Sequence, residues 1–446
     1  VTAVEVGGRT RAAGAVLAAI AAKRDGAELT AEQITSVVAD YTAGHVPDYQ
    51  MSAWLMAVAC RGMTMAETVA LTRAYVDSGE VVDLSAATRP VVDKHSSGGV
   101  GDKVSLFVAP VVAALGVDVL KMSGRGLDFA GGTLDKLESI PGMRVDLAER
   151  EMHEVLARTG MVITGQTARL VPADGATYAL RDVTGSVHSL PLIAASIMSK
   201  KIAGGARGVV LDVKTGPGGL VGDLASAREL ARTMVEIGAA FGLRATAVLS
   251  DMSQPLGRAV GNALEVAEAV AALRGAEVPG FTDLAVHIAA CMLRLADPAL
   301  SEPQALHKVR GAVADGSAHG VFRAWLAAQG GDPRVADDPD LLPAAPHRTT
   351  VTAAEGGWVT DVDARALGRL SLTLGAGRLV HGQDIDHAVG LVVHRRVGDR
   401  VERGEPLVEI HARQPDPATG EAARAAFTLT ERPCPARPVV LEVLGG

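Results

Sequence analysis

Two hydrophobic periodicities divide this chain. Across residues 9–76 apolar side chains recur at three- and four-residue spacing, with breaks at Gly26, Gly44-His-Val-Pro47 and Arg61-Gly-Met-Thr64, which predicts a set of helices. Thr30 with Gln33, and Thr64 with Glu67, form capping boxes that mark two helix starts. Farther along, short β-branched runs alternate with helical patterns. Asp118–Lys121, Met161–Thr164, Gly208–Lys214 and Arg244–Ser250 predict strands. The stretch from Val104, Glu149–Gly160, Ile193–Ala203, Ala225–Phe241 and the segment from Leu264 predict helices. Strands separated by helices imply an α/β domain with a mixed, mainly parallel sheet covered by helices.

Near Pro339–Pro346 the composition shifts to Pro, Ala and Asp, as in a linker. Beyond it, Gly390–Ile410 alternates with tight turns and resembles the hammerhead half of a biotinyl or lipoyl carrier domain. A swinging-arm carrier needs a lysine to acylate, and none follows Lys308, so a structural or dimer-supporting β-rich unit is expected instead.

Composition narrows the class. At 446 residues two or three domains are expected. Hydrophobic residues make up 48% and aromatics only 3%, so the core is aliphatic. A net charge of −8 without a long basic run argues against nucleic-acid binding. Cys60, Cys291 and Cys434 are odd in number and far apart, which fits free thiols in a reducing cytoplasm and gives no zinc-ligand spacing. The apolar stretch Ala12–Ala22 is mostly alanine and too short to cross a bilayer; it reads as a helix ending near Gly26, so no membrane partner is expected. Lysine use is uneven: seven of nine lysines fall between Lys94 and Lys214 in a chain that otherwise uses arginine. That bias fits a region where compact point charges matter.

Two glycine-rich stretches lie in this region. Asp93-Lys-His-Ser-Ser-Gly-Gly-Val-Gly-Asp-Lys-Val-Ser105 follows a β-branched run and leads into a helix. Met122-Ser-Gly-Arg-Gly-Leu-Asp-Phe-Ala-Gly-Gly-Thr-Leu-Asp-Lys-Leu-Glu138 repeats the plan, with Lys121 and Ser123 ending a strand and Thr133 opening a helix. Glycines expose backbone N–H groups, hydroxyls donate and lysines supply charge, so each loop has the chemistry of an anion cradle. Either loop alone could merely permit close packing, and helix-dipole complementarity accounts for Asp135 and Glu138. A third constellation runs from Tyr178-Ala-Leu-Arg-Asp182 to Ser196-Ile-Met-Ser-Lys-Lys201. Ser196 and Lys200 stand at i and i+4, so one helix face presents a hydroxyl beside an ammonium, which suits a planar ring with carbonyls; a solvated helix face is the alternative.

These residues carry a family resemblance. Ser123-Gly-Arg-Gly-Leu127 with Gly131-Gly-Thr-Leu-Asp-Lys-Leu-Glu138 resembles the signature of thymidine and pyrimidine-nucleoside phosphorylases. Lys94–Asp102, Tyr178–Thr184, Ser199–Lys201, Leu211–Gly216 and Ser250–Gly257 match that family in the same order along the chain. The resemblance implies a helical domain (1–76 with 173–203), an α/β domain (80–172 with 204–340) and a C-terminal β-rich, hammerhead-like domain (347–446). It implies a homodimer formed through the helical domain and an active site in the cleft between domains. Lys94, Ser96, Ser105, Lys121, Ser123 and Thr133 would hold phosphate, which is a substrate. Arg181, Ser196 and Lys200 would hold the pyrimidine, with Leu127, Val187, Ile193 and Ile197 along its apolar edge and His95 near a base oxygen. Catalysis would fall to His95, Arg181 and Lys200. No organic cofactor is implied, but a structural potassium ion is, near Gly101, Lys103, Leu256, Ala259 and Glu268.

Two positions depart from the family pattern. Asp128-Phe129-Ala130 replaces a small residue followed by His-Thr. Lys103 replaces a common Thr or Val, so its ammonium competes with the potassium whose ligand its carbonyl would be. The implied reaction is reversible phosphorolysis of thymidine, uridine or deoxyuridine to free base and an α-D-(deoxy)ribose 1-phosphate. A thymidine-specific enzyme, a magnesium-dependent phosphoribosyltransferase and a non-catalytic nucleoside-binding protein are the competing readings.

Overall fold

The computed structural model describes residues 3–126, 128–380 and 382–445. Four helices open the chain: α1 (Ala3–Arg24), α2 (Ala31–Thr42), α3 (Asp48–Arg61) and α4 (Met65–Asp77). Both capping boxes form, at Thr30 and Thr64. Glu67 of the second box also accepts Lys23 Nζ at 2.8 Å and the Leu29 N–H at 2.8 Å, so one buried carboxylate caps α4 and pairs with α1. The helical core, built on Trp54, Leu55, Leu71 and Tyr75, takes in Ala173, Leu192 and Ala195 from much later in the chain.

The large sheet begins with β1 (Val92–Ser96), β2 (Val119–Met122), β3 (Met161–Thr164), β4 (Gly208–Thr215) and β5 (Arg244–Asp251). β1 pairs in parallel with β4, β4 with β5, and β2 with β3. A parallel bridge from Val91 to Asp118 joins the two sets. The spatial order is therefore β3-β2-β1-β4-β5, and it reverses between β1 and β4. In open α/β sheets such a reversal leaves a crevice at the carboxyl ends of the strands, where ligands bind.

The strands are buried because helices cover them: α5 (Val104–Ala114), α7 (Glu149–Thr159), α9 (Leu190–Ala203), α10 (Leu224–Ala240) and α12 (Phe281–Ala296) pack against the sheet, α11 (Asn262–Leu273) packs on α5 and α6 (Thr133–Glu138) on α11, while α8 (Pro172–Thr184) packs with α2, α3 and α4. α9 has a double allegiance. Leu192 and Ala195 enter the helical core, whereas Ile193, Ala194 and Met198 pack with β4, β5 and α10.

One expected boundary is corrected. The C-terminal unit does not keep residues 347–446 to itself. Its last strand, Val440–Gly445, returns to pair antiparallel with β5, which makes the sheet mixed. Pro339–Pro346 is also more than a tether: Pro339–Leu341 forms a 3₁₀ turn, and Leu342 and Ala345 are buried. No helix among the described residues is long and apolar enough to cross a membrane.

Candidate active site

The first glycine-rich stretch leaves β1 at Ser96 and enters α5 at Val104. Gly98 and Gly101 adopt φ of +88° and +77°, the left-handed region that favours glycine. Gly99 is needed for space: a Cβ there would stand 2.8 Å from Lys214 Cδ and 2.9 Å from Met252 Cγ. Ser97 ties the turn to β4, donating its N–H to the Asp212 carbonyl (3.0 Å) and accepting the Lys214 N–H on Oγ (2.8 Å). The Ser96 hydroxyl donates to Asp102 and accepts the Gly98 N–H at 3.1 Å. Ser105 is buried in the first turn of α5, where the backbone N–H groups have no partner within the helix.

Beneath the loop lies a buried charge cluster. Lys94 Nζ is 3.4 Å from Asp212 Oδ2 and 4.0 Å from Asp102 Oδ1; Lys214 Nζ is 2.8 Å and 3.9 Å from the same two carboxylates. Neither ammonium is aligned for a hydrogen bond, and Lys94 Nζ is fully enclosed with its N–H groups unsatisfied. Such donors suit an anion arriving from the loop side. Burial works against the charge of Asp102, but Lys214, Lys94 and the Ser96 hydroxyl overcome it and hold the carboxyl far below its usual range. Lys214 is raised despite burial, through Asp102 and Asp212.

Lys121, at the end of β2, reaches across to donate to the Lys94 carbonyl at 2.7 Å. Burial, with Lys201 nearby, pushes its ammonium down to about 7. Ser123 follows β2, its N–H bonded to the Thr164 carbonyl at 2.9 Å. Thr133 begins α6, whose N-terminal Gly132 is pressed so close to Arg125 and Gly126 that a Cβ would lie 2.2 Å from each backbone. Asp135 accepts the Gly126 N–H at 2.6 Å and Arg378 at 2.7 Å, while Glu138 accepts Arg125 at 2.7 Å. These two carboxylates shape the loop. Phe129 of the unusual triplet faces the C-terminal unit: its ring lies 5.3 Å from the Arg365 guanidinium, and a Cβ on Gly368 would come within 3.2 Å of it. Asp128 is exposed, with φ of +51°. Leu127 lies outside the described residues.

The opposite wall is built by α8 and α9. Lys200 Nζ donates to Ser196 Oγ at 2.9 Å and pairs closely with the buried Asp174. The i, i+4 spacing therefore does bring hydroxyl and ammonium together. The Arg181 guanidinium is buried and donates to the carbonyls of Leu192 (3.2 Å) and Val187 (2.8 Å), which fixes it at the α8–α9 turn with further N–H groups left to donate. Ile193 packs into the core with β4 and β5, and Ile197 lies at the edge of that core. Val187 is half-buried.

The two walls meet around His95. Lys201, next to Lys200 on α9, pairs with Asp93 at 2.7 Å and lies 3.4 Å from the Met122 carbonyl, linking α9 to the ends of β1 and β2. Burial, then the charges of Lys201, Lys121, Lys94 and Lys200, drive the His95 pKa well below its ordinary value, and its Nε2 is fully enclosed without a partner. This environment favours the neutral imidazole of His95, which can still donate a hydrogen bond.

The residues expected around potassium also converge, but around a different cation. Lys103 Nζ donates to the carbonyls of Leu256 (2.9 Å) and Ala259 (3.1 Å) and pairs with Glu268. Potassium does not fit beside an ammonium that already occupies its ligands.

Sequence reasoning did not single out Asp93, Asp102, Asp174, Asp212, Lys201 or Lys214 as site residues. The lysine bias was their signal, since a buried ammonium requires a carboxylate nearby.

Comparison with known proteins agrees with this architecture. Residues 17–79 match the helical bundle domain of a glycosyl transferase family, residues 88–319 its a/b domain, and residues 358–430 the pyrimidine nucleoside phosphorylase C-terminal domain. The chain is 50% identical to the pyrimidine-nucleoside phosphorylase of Geobacillus stearothermophilus over 87% of its own length and 90% of that protein's. It is 48% identical to that of Bacillus subtilis with the same coverage. A solved anthranilate phosphoribosyltransferase from Thermus thermophilus shares the fold, with a TM-score of 0.58 and 22% identity over 70% of this chain and 99% of the other. The chain therefore belongs to the pyrimidine-nucleoside phosphorylase family.

Proposed function

We propose that this pentosyltransferase splits pyrimidine nucleosides reversibly with inorganic phosphate, taking thymidine, uridine and deoxyuridine to the free base and an α-D-(deoxy)ribose 1-phosphate. The observation that carries this reading is the joining of the glycine-loop wall to the helical wall beside His95: Lys121 donates to the Lys94 carbonyl, and Lys201, next to Lys200, pairs with Asp93 and reaches the Met122 carbonyl. Phosphate sits against Lys94, Ser96, Ser105, Lys121, Ser123 and Thr133. The pyrimidine lies against Arg181, Ser196 and Lys200, with Val187, Ile193 and Ile197 along its apolar edge. As the glycosidic bond breaks, negative charge gathers on the base and the sugar becomes oxocarbenium-like. The Lys200 ammonium stabilises the leaving base, and neutral His95 donates a hydrogen bond to a base oxygen. Phosphate attacks from the opposite face, so the β-nucleoside yields the α-sugar phosphate.

Orthophosphate-dependent release of thymine and uracil, measured in EDTA and compared by kcat/KM, tests the reading. Activity on both nucleosides without magnesium supports it. Turnover of thymidine alone favours the thymidine-specific alternative, and a requirement for magnesium favours phosphoribosyl transfer.

Lys121 gives a second check. An anion beside it favours the charged form, so binding raises a pKa that starts at about 7. Calorimetry with sulfate, which does not itself titrate near neutrality, is expected to show uptake approaching about one proton around pH 8 and little below about pH 6. Lys121→Arg removes the uptake.

A homodimer through the helical domain is part of this proposal. Tyr49 and Met56 share one face of α3 and are exposed, as is Leu17 on the adjoining α1. Three free cysteines suit a cytoplasmic enzyme.

A further inference from the structure

We infer that the Lys103 side chain is a tethered cation that replaces the monovalent metal ion at the base of the first glycine loop, so that this protein needs no potassium. Lys103 is almost wholly buried, and its ammonium joins three chain segments. It donates to Leu256 and Ala259 from the segment after β5, pairs with Glu268 on α11, and itself directly follows Asp102. The Phe281 ring lies 5.3 Å away and closes another side. Glu268 completes the clamp by accepting the N–H groups of Arg258 (3.0 Å) and Ala259 (3.2 Å).

The space is shaped for this group. Gly257, with φ of +72°, has no room for a side chain: a Cβ would stand 2.5 Å from Glu268 Oε2 and 3.1 Å from Lys103 Nζ. A Cβ on Gly101 would lie 2.7 Å from the Leu256 carbonyl. Two carbonyls and a carboxylate converging in a buried space require a positive charge. Here the chain supplies it covalently, at a fixed stoichiometry and without a binding equilibrium.

The consequence falls on the site. Lys103 fixes Asp102, whose carboxylate holds Ser96 and faces Lys94 and Lys214. Lys103 is thus a positioning residue for the phosphate loop, and the assignment rests on the proposed function only for its activity readout.

The test compares potassium, sodium and choline chlorides at equal ionic strength, following the thermal midpoint, kcat/KM and binding of thallium(I), a potassium mimic seen by its own NMR signal. The wild-type protein is expected to give the same midpoint and kcat/KM in all three salts and to bind no thallium. Lys103→Thr opens the seat. It is expected to melt lower in choline, to recover midpoint and phosphate KM with potassium, and to bind thallium that potassium displaces. Lys103→Met fills the space without charge and is expected to gain nothing from potassium. A wild-type midpoint that rises selectively with potassium, or potassium-displaceable thallium in the wild type, overturns the inference. So does a folded Lys103→Thr that potassium fails to rescue. If Lys103→Thr does not fold, the wild-type salt and thallium measurements decide. Loss of activity in every salt with an unchanged midpoint pattern counts against the proposed reaction and leaves the cation assignment standing.

Discussion

Lys200→Ala is expected to lower kcat/KM for the nucleoside by about 10³-fold, in line with the loss of one preorganised charge facing the leaving group. Its ammonium is held by Ser196 Oγ at 2.9 Å and by Asp174, so its position is fixed before substrate arrives. Nothing must reorganise as charge develops on the base. The defect belongs mainly to kcat, because the interaction strengthens as the bond breaks. Asp174 is buried and loses its pair in this variant, so its melting must be followed in parallel. Lys200→Ala with Asp174→Asn removes the orphaned charge; it is expected to recover stability and not turnover. Near-normal kcat/KM in folded Lys200→Ala removes Lys200 from the mechanism.

The second large effect is expected from Lys94→Met. Lys94 and Lys214 face Asp102 and Asp212 in a region where all four side chains are nearly inaccessible to water. With Lys94 gone, the carboxylates outnumber the ammonium groups where an anion must bind. The phosphate KM is expected to rise by about two orders of magnitude, and the protein to lose about 3 kcal/mol of stability, the cost of breaking a buried pair. Adding Asp212→Asn restores the local charge balance, and the Ser250 hydroxyl that now donates to Asp212 at 2.6 Å can still bond an amide oxygen. The double variant is expected to regain the midpoint while its phosphate KM stays high. Recovery of phosphate binding together with stability would reduce Lys94 to a structural role.

Much of this was legible in the chain because local chemistry and final geometry agree. Both capping boxes form at the helix starts that Thr30 and Thr64 mark, since a cap is a short-range interaction. The strands of the large sheet are apolar runs between helices, and they fold as that pattern requires. Ser196 and Lys200 meet because a helical turn brings i and i+4 together. What stayed hidden is long-range. Nothing in the spacing of Lys201 and Asp93, or of Lys94 and Asp212, says that they pair; strand order decides it. The return of Val440–Gly445 to the edge of the large sheet is likewise a tertiary choice, invisible in a short alternating segment. The carbonyls of Leu192 and Val187 that fix the Arg181 guanidinium are likewise a choice of the α8–α9 turn that residue type does not reveal. Phe129, a bulky departure in the loop motif, is turned toward Arg365 and Gly368, a packing choice that spacing does not show either.

The central claim is that phosphate, held by the loops after β1 and β2, itself breaks the bond between sugar and pyrimidine. Following thymidine and orthophosphate by phosphorus NMR tests this most directly. The account predicts that an α-sugar 1-phosphate signal grows in step with free thymine, and that thymine added to that product regenerates nucleoside. Thymine released without any phosphate ester, or at a rate indifferent to phosphate, would contradict it.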